Sequence, residues 1–124
     1  MKTLDQMTLE ELKNCKPETV EFGVILEMAS KLSRAFNPDR IVLFGSYARG
    51  EATEHSDIDF LVIMPTDQPR PKRSVPMYRL LRNYLLSVDI IVRTQEEADE
   101  YANLPFSFMQ TALREGVTLY DREA

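Results

Sequence analysis

The fold of this chain is decided by residues 41–63, which read IVLFGSYARGEATEHSDIDFLVI. The apolar runs 41–44 and 60–63 have the length and composition of buried strands. The first run ends in a Gly-Ser pair, and the second begins directly after two aspartates. The sequence therefore predicts two strands, joined by a polar loop that starts at Gly45 and ends at Asp59.

The two aspartates at the head of the second strand are Asp57 and Asp59. Because side chains alternate between the faces of a strand, both acids point to one face and Ile58 to the other. Carboxylates about 7 Å apart on one face repel each other unless a cation lies between them. Such oxygen ligands suit Mg²⁺, which binds one or two carboxylates and completes its shell with phosphate oxygens and water. The N–H groups and hydroxyl of Gly45-Ser46 would bind those phosphates, so the stretch predicts a nucleotidyl-transfer site.

A third aspartate lies in a later apolar run, residues 87–92, which read SVDIIV. An unpaired carboxylate is costly to bury, so Asp89 needs a partner if this run is an interior strand. On a strand beside Asp57 and Asp59, it would complete a three-acid, two-metal cluster. Such a cluster holds the attacking and leaving oxygens of an in-line phosphoryl displacement. The alternative is an aspartate at a strand edge that simply faces water.

Together these motifs resemble those of the DNA polymerase β-type nucleotidyltransferases. The sequence Gly-Ser-Tyr-Ala-Arg-Gly is most similar to that of the minimal nucleotidyltransferase (MNT) group. The resemblance implies an α/β (α+β) fold, in which a small mixed β-sheet has helices packed mainly on one face. It implies that Asp57 and Asp59 bind Mg²⁺ and the nucleotide triphosphate. It also implies that Asp89 binds the catalytic metal and helps to activate the acceptor hydroxyl. Phosphate binding is implied for Gly45 and Ser46.

Length and composition predict a single nucleotidyltransferase domain over residues 1–124. A hydrophobic fraction of 44% and a charged fraction of 28% are ordinary for a globular protein. No apolar run approaches the roughly 20 residues that cross a bilayer, and the N-terminus lacks the apolar core of a signal peptide. One cysteine, Cys15, fits the reducing cytoplasm, which is the expected location. The net charge of −5 disfavours direct binding to nucleic acid.

Helix signals lie on both sides of the two motifs. Capping boxes at residues 8–11 and 94–97 predict two helix starts, and Pro17 ends the first of these helices. An apolar stripe predicts a longer helix over residues 18–36. A further helix is predicted near residues 77–86, where it leads into the strand of the third acid.

The C-terminal part of the sequence predicts a last helix followed by a short strand. Pro105 suits the first turn of that helix, and Gly116 suits its end. Phe106, Phe108, Met109 and Leu113 form one stripe, which is predicted to lie in the core, with a groove for a partner as the alternative. Residues 117–120 can then form the final strand.

Two groups of basic residues have more than one interpretation. The segment from Arg70 to Arg82 carries five cations and no acid. It could steer a triphosphate, contact an acidic partner or touch an RNA acceptor, or it could be a solvated loop and helix face. Arg49 is assigned to nucleotide binding, with a structural ion pair as the alternative. His55 is expected to cap or pack its loop, because the implied metal prefers oxygen ligands.

The function predicted from these residues is that of a nucleotidyltransferase that uses two Mg²⁺ ions to move AMP from ATP to an acceptor hydroxyl. The sequence shows no second domain for tRNA, a primer or an antibiotic, so a partner surface or a second subunit is expected to present the acceptor. MNT proteins similar to this one act as antitoxins beside a helical HEPN ribonuclease, which they modify on a tyrosine. The resemblance thus implies a HEPN-type toxin as partner. The alternatives are a small-molecule transferase of the aminoglycoside type and a non-catalytic antitoxin that masks its partner.

Overall fold

The structure, a computed structural model, describes residues 2–3 and 19–124 and consists of a mixed β-sheet flanked by helices. The strands are β1 (Lys2–Thr3), β2 (Arg40–Phe44), β3 (Ile58–Ile63), β4 (Val88–Arg93) and β5 (Val117–Asp121). The helices are α1 (Phe22–Phe36), α2 (Ser46–Arg49), α3 (Arg70–Arg73), α4 (Val75–Leu81), α5 (Gln95–Ala102) and α6 (Phe108–Glu115), with a 3₁₀ turn at Arg82–Tyr84. The sheet order is β1-β5-β2-β3-β4, in which β2 and β3 are antiparallel and β3 and β4 are parallel.

The two strands predicted from residues 41–63 form β2 and β3, side by side within the sheet. Their apolar side chains are buried on both faces, because helices cover both. The larger core lies on the face covered by α1 and α4, where Leu32 and Phe60 are fully buried. Helices α5 and α6 cover the other face, where Met109 packs in one cluster with Leu61. Burial of each such side chain contributes roughly 1.5–3 kcal/mol to stability. The predicted mixed α+β fold is confirmed, and its larger core lies on the face that α1 and α4 cover.

Helix α1 has the predicted apolar stripe but begins at Phe22 rather than at residue 18. Its buried side chains are Ile25, Met28, Ala29 and Leu32. The helix ends where Asn37 adopts a left-handed conformation with φ 45° and donates its N–H to the Ser33 carbonyl. That turn leads directly into β2.

Several predictions near the N-terminus fall outside the described residues. They concern the capping box at residues 8–11, the helix end at Pro17 and the single cysteine, Cys15. Within the residues that the structure describes, no helix is long and apolar enough to cross a membrane.

The helix predicted near residues 77–86 lies earlier in the chain, as α4 over Val75–Leu81. Pro76 falls in its first turn, where the missing proline N–H leaves no helical bond unmade. The 3₁₀ turn that follows stops at Leu85, which has a left-handed φ of 55°. A left-handed residue ends a helix, so the chain turns here into β4.

The last helix begins three residues later than predicted, at Phe108 rather than at Pro105. Its N-cap is Ser107, whose side-chain oxygen accepts the N–H of Gln110. The same hydroxyl donates to the carbonyl of Tyr101 at 2.6 Å. These two bonds fix the helix entry at Ser107, and Pro105 therefore lies in the preceding turn.

The predicted buried face of that helix is correct only in part. Met109 is buried and Leu113 is half-buried. Phe106 instead exposes 99% of its surface, with a left-handed φ of 62°, and Phe108 exposes 43%. The core prediction is wrong for Phe106 and Phe108, because the capped helix starts after the first and leaves the second at the rim. Gly116 ends the helix and β5 follows, as predicted.

The outer edge of β4 is covered by side chains from α3 and α4. The N–H of Ile90 donates to the hydroxyl of Tyr78 at 2.7 Å. The carbonyl of Val92 accepts from Arg73 at 3.3 Å. These bonds occupy backbone groups that an edge strand otherwise leaves open to pairing with another chain. They also attach both helices to the strand that carries Asp89.

The capping box predicted at residues 94–97 is confirmed at the start of α5. The Glu97 carboxylate accepts the N–H of Thr94 and also pairs with Arg73 at 2.6 Å and Arg70 at 2.9 Å. The backbone N–H of Thr94, aided by the two arginines, lowers the pKa of Glu97 to about 2. One carboxylate thus joins α3 to the N-terminus of α5.

We expect Glu97→Gln to reduce the free energy of unfolding by about 1–3 kcal/mol at pH 7, because it leaves the half-buried Arg73 without its carboxylate. A lowered pKa stabilises the fold above the unfolded-state pKa of about 4.5, and this contribution is lost as the pH falls through 2. Urea denaturation at pH 7 and near pH 2.5 should show the difference shrinking. Glu96→Gln, an exposed neighbour on the same helix, is the matched control. Equal losses in both variants would contradict the assignment.

Candidate functional site

The three predicted acids meet at one end of β3 and β4. Asp59 and Asp89 are register partners in the parallel pair, so their strands place them directly beside each other on one face of the sheet. Asp57 immediately precedes β3 and has the same alternation as Asp59. Asp57 and Asp89 are exposed, whereas Asp59 is half-buried. The arrangement predicted from the spacing of the acids is therefore present.

The backbone of Gly45 packs against the carboxylate of Asp59. A Cβ at position 45 would overlap the Oδ2 atom of Asp59, and the residue also has a left-handed φ of 79°. Both constraints favour glycine, which has no Cβ and adopts positive φ freely. Helix α2 begins at the next residue, Ser46, and Gly50 is its C-cap. The first N–H groups of this helix, which have no partner within it, therefore lie beside the acids.

The surroundings of Asp59 disfavour the charged form of its carboxyl group. Burial, together with the negative charges of Asp89 and Asp57, raises the pKa of Asp59 to about 6, and Arg49 opposes the rise. Arg49 is itself shared with two other carboxylates, since it lies 3.0 Å from Glu51 and 4.0 Å from Glu115. The ion-pair alternative for Arg49 is thus present in the structure, and its contact with a nucleotide stays a prediction. Among the residues that the structure describes, Arg49 is the cation whose charge lowers the pKa of Asp59.

The donor set fits Mg²⁺ on chemical grounds. All three side chains offer oxygen, and their mutual repulsion would be relieved by a cation. In the described part of the chain, no three acids, histidines or cysteines converge closely enough to hold one ion by themselves. Mg²⁺ needs only one or two carboxylates when substrate phosphates complete its shell, so pairs such as Asp59 with Asp57 or Asp89 suffice. The His55 side chain is 87% exposed and lies 3.3 Å from Glu54, so it does not pack against its loop as predicted.

Two polar residues that the sequence did not single out support the acids. The hydroxyl of Ser87 donates to Oδ1 of Asp57. The hydroxyl of Tyr78 donates to Oδ1 of Asp89 at 3.5 Å while it accepts the N–H of Ile90. Ser87 lies two residues before Asp89, so strand alternation could have indicated it. Tyr78 comes from α4, and no local pattern connects it with β4.

The basic segment from Arg70 to Arg82 divides into two parts. Arg70 and Arg73 pair with Glu97, so two of its five cations have structural partners. Arg79 and Arg82 are exposed, and their approach to a triphosphate stays a prediction. The segment is therefore neither wholly a solvated loop nor a free cationic patch.

Residues 25–114 match the family model described as a nucleotidyltransferase domain. Two proteins of Methanocaldococcus jannaschii, both named as candidate protein adenylyltransferases, are similar in sequence. One is 36% identical over 83 residues, which are 65% of this chain and 77% of that protein. The other is 42% identical over 66 residues, which are 52% of this chain but only 43% of that protein. This chain thus matches less than half of the second relative's length.

A solved structure described as a candidate nucleotidyltransferase from Sulfolobus solfataricus has the same fold. Its TM-score is 0.62 and its sequence identity is 21%, and the match covers 95% of this chain and 93% of that chain. At this identity the likeness concerns the fold alone. It extends well beyond the strands that carry the acids.

Proposed function

The chain belongs to the nucleotidyltransferase domain family, and on that premise we propose that it transfers AMP from ATP to a hydroxyl group of a partner protein and releases pyrophosphate. Membership of the family confirms the resemblance found in residues 45–59 and at Asp89. The donor nucleotide, the metal and the acceptor belong to the proposal.

One observation carries the proposal. Asp59 lies between the backbone of Gly45 on one side and its register partner Asp89 on the other. A phosphate-binding turn and an acid pair are therefore in direct contact, as nucleotidyl transfer requires of groups that must act on one phosphorus atom. A purely structural strand end has no reason to crowd like charges in this way.

The Gly45-Ser46 turn and the three acids have different roles in the proposed transfer. The N–H groups at Gly45-Ser46 would bind the phosphates of ATP and fix the α-phosphorus. Two Mg²⁺ ions would neutralise the triphosphate and favour the alkoxide form of the acceptor. Pairs among Asp57, Asp59 and Asp89, together with phosphate oxygens, would hold them. Asp89 would accept the proton of the acceptor hydroxyl. The acceptor oxygen then forms the new bond to the α-phosphorus, and the bond to the β-phosphate oxygen breaks to release pyrophosphate.

The acceptor that we propose is a tyrosine of a helical HEPN-type ribonuclease, which this chain would neutralise as an antitoxin in the cytoplasm. The names of the two similar Methanocaldococcus jannaschii proteins, as candidate protein adenylyltransferases, support a protein acceptor. The exposure of Asp89 supports an acceptor that arrives from outside the chain. A small-molecule acceptor and simple masking of the partner are the outcomes that the tests below separate.

Nucleotide binding should depend on a divalent cation. Without metal, the three acids repel the triphosphate, so we expect Mg²⁺ to tighten ATP binding by about tenfold or more. Isothermal titration with Mg²⁺ and with EDTA measures this difference. Asp67→Asn, which removes an exposed acid from a distant loop, should leave it unchanged. Equal affinity in EDTA would contradict the metal assignment.

Label transfer tests the reaction itself. The full chain, Mg²⁺, α-labelled ATP and a helical HEPN-type ribonuclease should give labelled partner and free pyrophosphate. Asp57→Asn should abolish the label, whereas Asp67→Asn should retain it. Neutralisation of the partner by Asp57→Asn would show masking instead of catalysis. Label that reaches only an aminoglycoside would identify a small-molecule transferase.

A further inference from the structure

Three arginines and one carboxylate meet where α3, β4 and α5 come together. Glu97 pairs with both Arg70 and Arg73. Arg93, at the end of β4, is half-buried and donates to the Val92 carbonyl at 2.9 Å, but it makes no ion pair with any residue of the described ranges. The cluster therefore has an excess of positive charge in a chain whose net charge is −5.

Arg93 lies in an environment that disfavours its charge. Burial lowers the pKa of Arg93, and the neighbouring charges of Arg70 and Arg73 lower it further, against a weaker opposing effect of Glu97. A half-buried cation beside two others gains from an incoming anion, because the anion restores the interaction with opposite charge that burial removed. The geometry thus favours a negatively charged ligand at Arg93.

A cavity of about 210 Å³ opens at this arginine. Its lining consists of Arg70, Arg93, Tyr101, Ser107, Phe108 and Met109. This volume is below the roughly 300–1,000 Å³ of sites that enclose a whole small-molecule ligand. The cavity suits one side chain whose charged end meets Arg93 and whose stem contacts the aromatic wall.

The cavity lies on the same face of the sheet as the acids. Asp89 and Arg93 are four residues apart on β4 and share one face, which places their Cα atoms about 13 Å apart. The cavity wall also touches the site, since the Phe108 ring lies 5.1 Å from that of Phe44, the register partner of Asp59. An extended segment of about four residues spans this distance.

We propose that this cavity binds a carboxylate side chain of the acceptor protein, about four residues away from the hydroxyl that receives AMP. The inference rests on the proposed function, because it specifies the acceptor of that reaction. Two exposed apolar side chains, Leu104 and Phe106, lie on the loop that leads into the cavity at Ser107. They would contact apolar neighbours of the acidic residue. Phe106 does not pack in the core, and in this proposal its exposed ring contacts the acceptor protein.

Peptide binding tests the cavity without nucleotide or metal. The probes are two short fluorescein-labelled peptides with one tyrosine and, four residues later, either glutamate or glutamine. By fluorescence anisotropy, the full chain should bind the glutamate peptide about fivefold more tightly, and the preference should weaken as salt rises. Arg93→Met should abolish the preference, whereas Arg79→Met, which removes an exposed arginine of α4, should retain it.

Several results would overturn the proposal. They are equal binding of the two peptides to the wild-type chain, loss of the preference in Arg79→Met alone, or binding of inorganic phosphate more tightly than the glutamate peptide. If Arg93→Met does not fold, Arg93→Gln replaces it, and the two-peptide comparison on the wild-type chain still decides.

A second measurement separates this inference from the proposed reaction. With ATP and Mg²⁺, label should enter the tyrosine of the glutamate peptide faster than that of the glutamine peptide. A glutamate preference in binding without any label transfer, to peptide or partner, would overturn the reaction but support the cavity. Transfer at equal rates to both peptides would support the reaction and overturn the cavity.

Discussion

Asp59→Asn is expected to abolish AMP transfer and, at the same time, to make the metal-free protein more stable at pH 8. The loss of transfer follows from the removal of a carboxylate that we propose to bind metal, and we expect a decrease of about a thousandfold or more. The gain in stability follows from the burial of the Asp59 carboxylate and from its crowding by Asp89 and Asp57, which together raise its pKa from 3.8 to about 6. A catalytic acid that destabilises its own fold is typical of a site shaped for function.

The raised pKa of Asp59 determines how the stability of the protein changes with pH. With a raised pKa, the folded protein binds the proton of Asp59 more tightly than the unfolded chain does, so stability falls as the pH rises from about 4 to about 6. Asparagine removes this loss, and the variant should exceed the wild type by on the order of 1–2 kcal/mol at pH 8 after solvent screening, with little difference at pH 4. Thermal melts in EDTA at both pH values measure it. Asp67→Asn should change neither activity nor stability, and a large loss of stability in Asp59→Asn would make that acid structural.

The centre of the fold and the positions of the acids follow from local sequence. Residues 41–63 form two strands because their apolar runs are of strand length, and the alternation of side chains then fixes the common face of Asp57 and Asp59. The position of Asp89 beside Asp59 could be predicted only by assuming in addition that β4 pairs with β3. That pairing was proposed because a buried acid in an apolar run needs a neighbour. β4 is instead an edge strand and Asp89 is exposed, so the predicted position is present although the burial argument for it does not apply.

Other features depend on contacts between distant parts of the chain. Ser107 rather than Pro105 starts α6, because its hydroxyl bonds at once to the N–H of Gln110 and to the carbonyl of Tyr101. The contact of Tyr78 with Asp89 requires α4 to lie along the outer edge of β4. No periodicity encodes such relations, since they arise only when separate elements pack together.

The cluster around Arg93 also could not be predicted from the sequence, because it forms between distant parts of the chain. The basic segment was visible in the sequence, but its pairing with Glu97 was not, because the two are separated by a whole strand. Glu97 is shared by Arg70 and Arg73, so Arg93 is the arginine of this cluster that makes no ion pair within the described residues. A charge count along the sequence would have pointed to the wrong arginines.

Gly45→Ala is expected to reduce AMP transfer by about a hundredfold or more and to destabilise the fold by about 1–3 kcal/mol. The new methyl group would overlap the carboxylate of Asp59, and alanine disfavours the left-handed φ of 79° at this position. A shift of Asp59 or a shift of the turn would each separate the acids from the backbone that we propose to bind phosphate. Gly23→Ala is the matched control, because a Cβ at that position of α1 meets no atom within 4 Å, and alanine there should stabilise the helix by up to about 1 kcal/mol. Urea denaturation and label transfer, measured on both variants, test the pair. If Gly45→Ala retained full activity, the close contact between this turn and Asp59 could not be what positions the nucleotide.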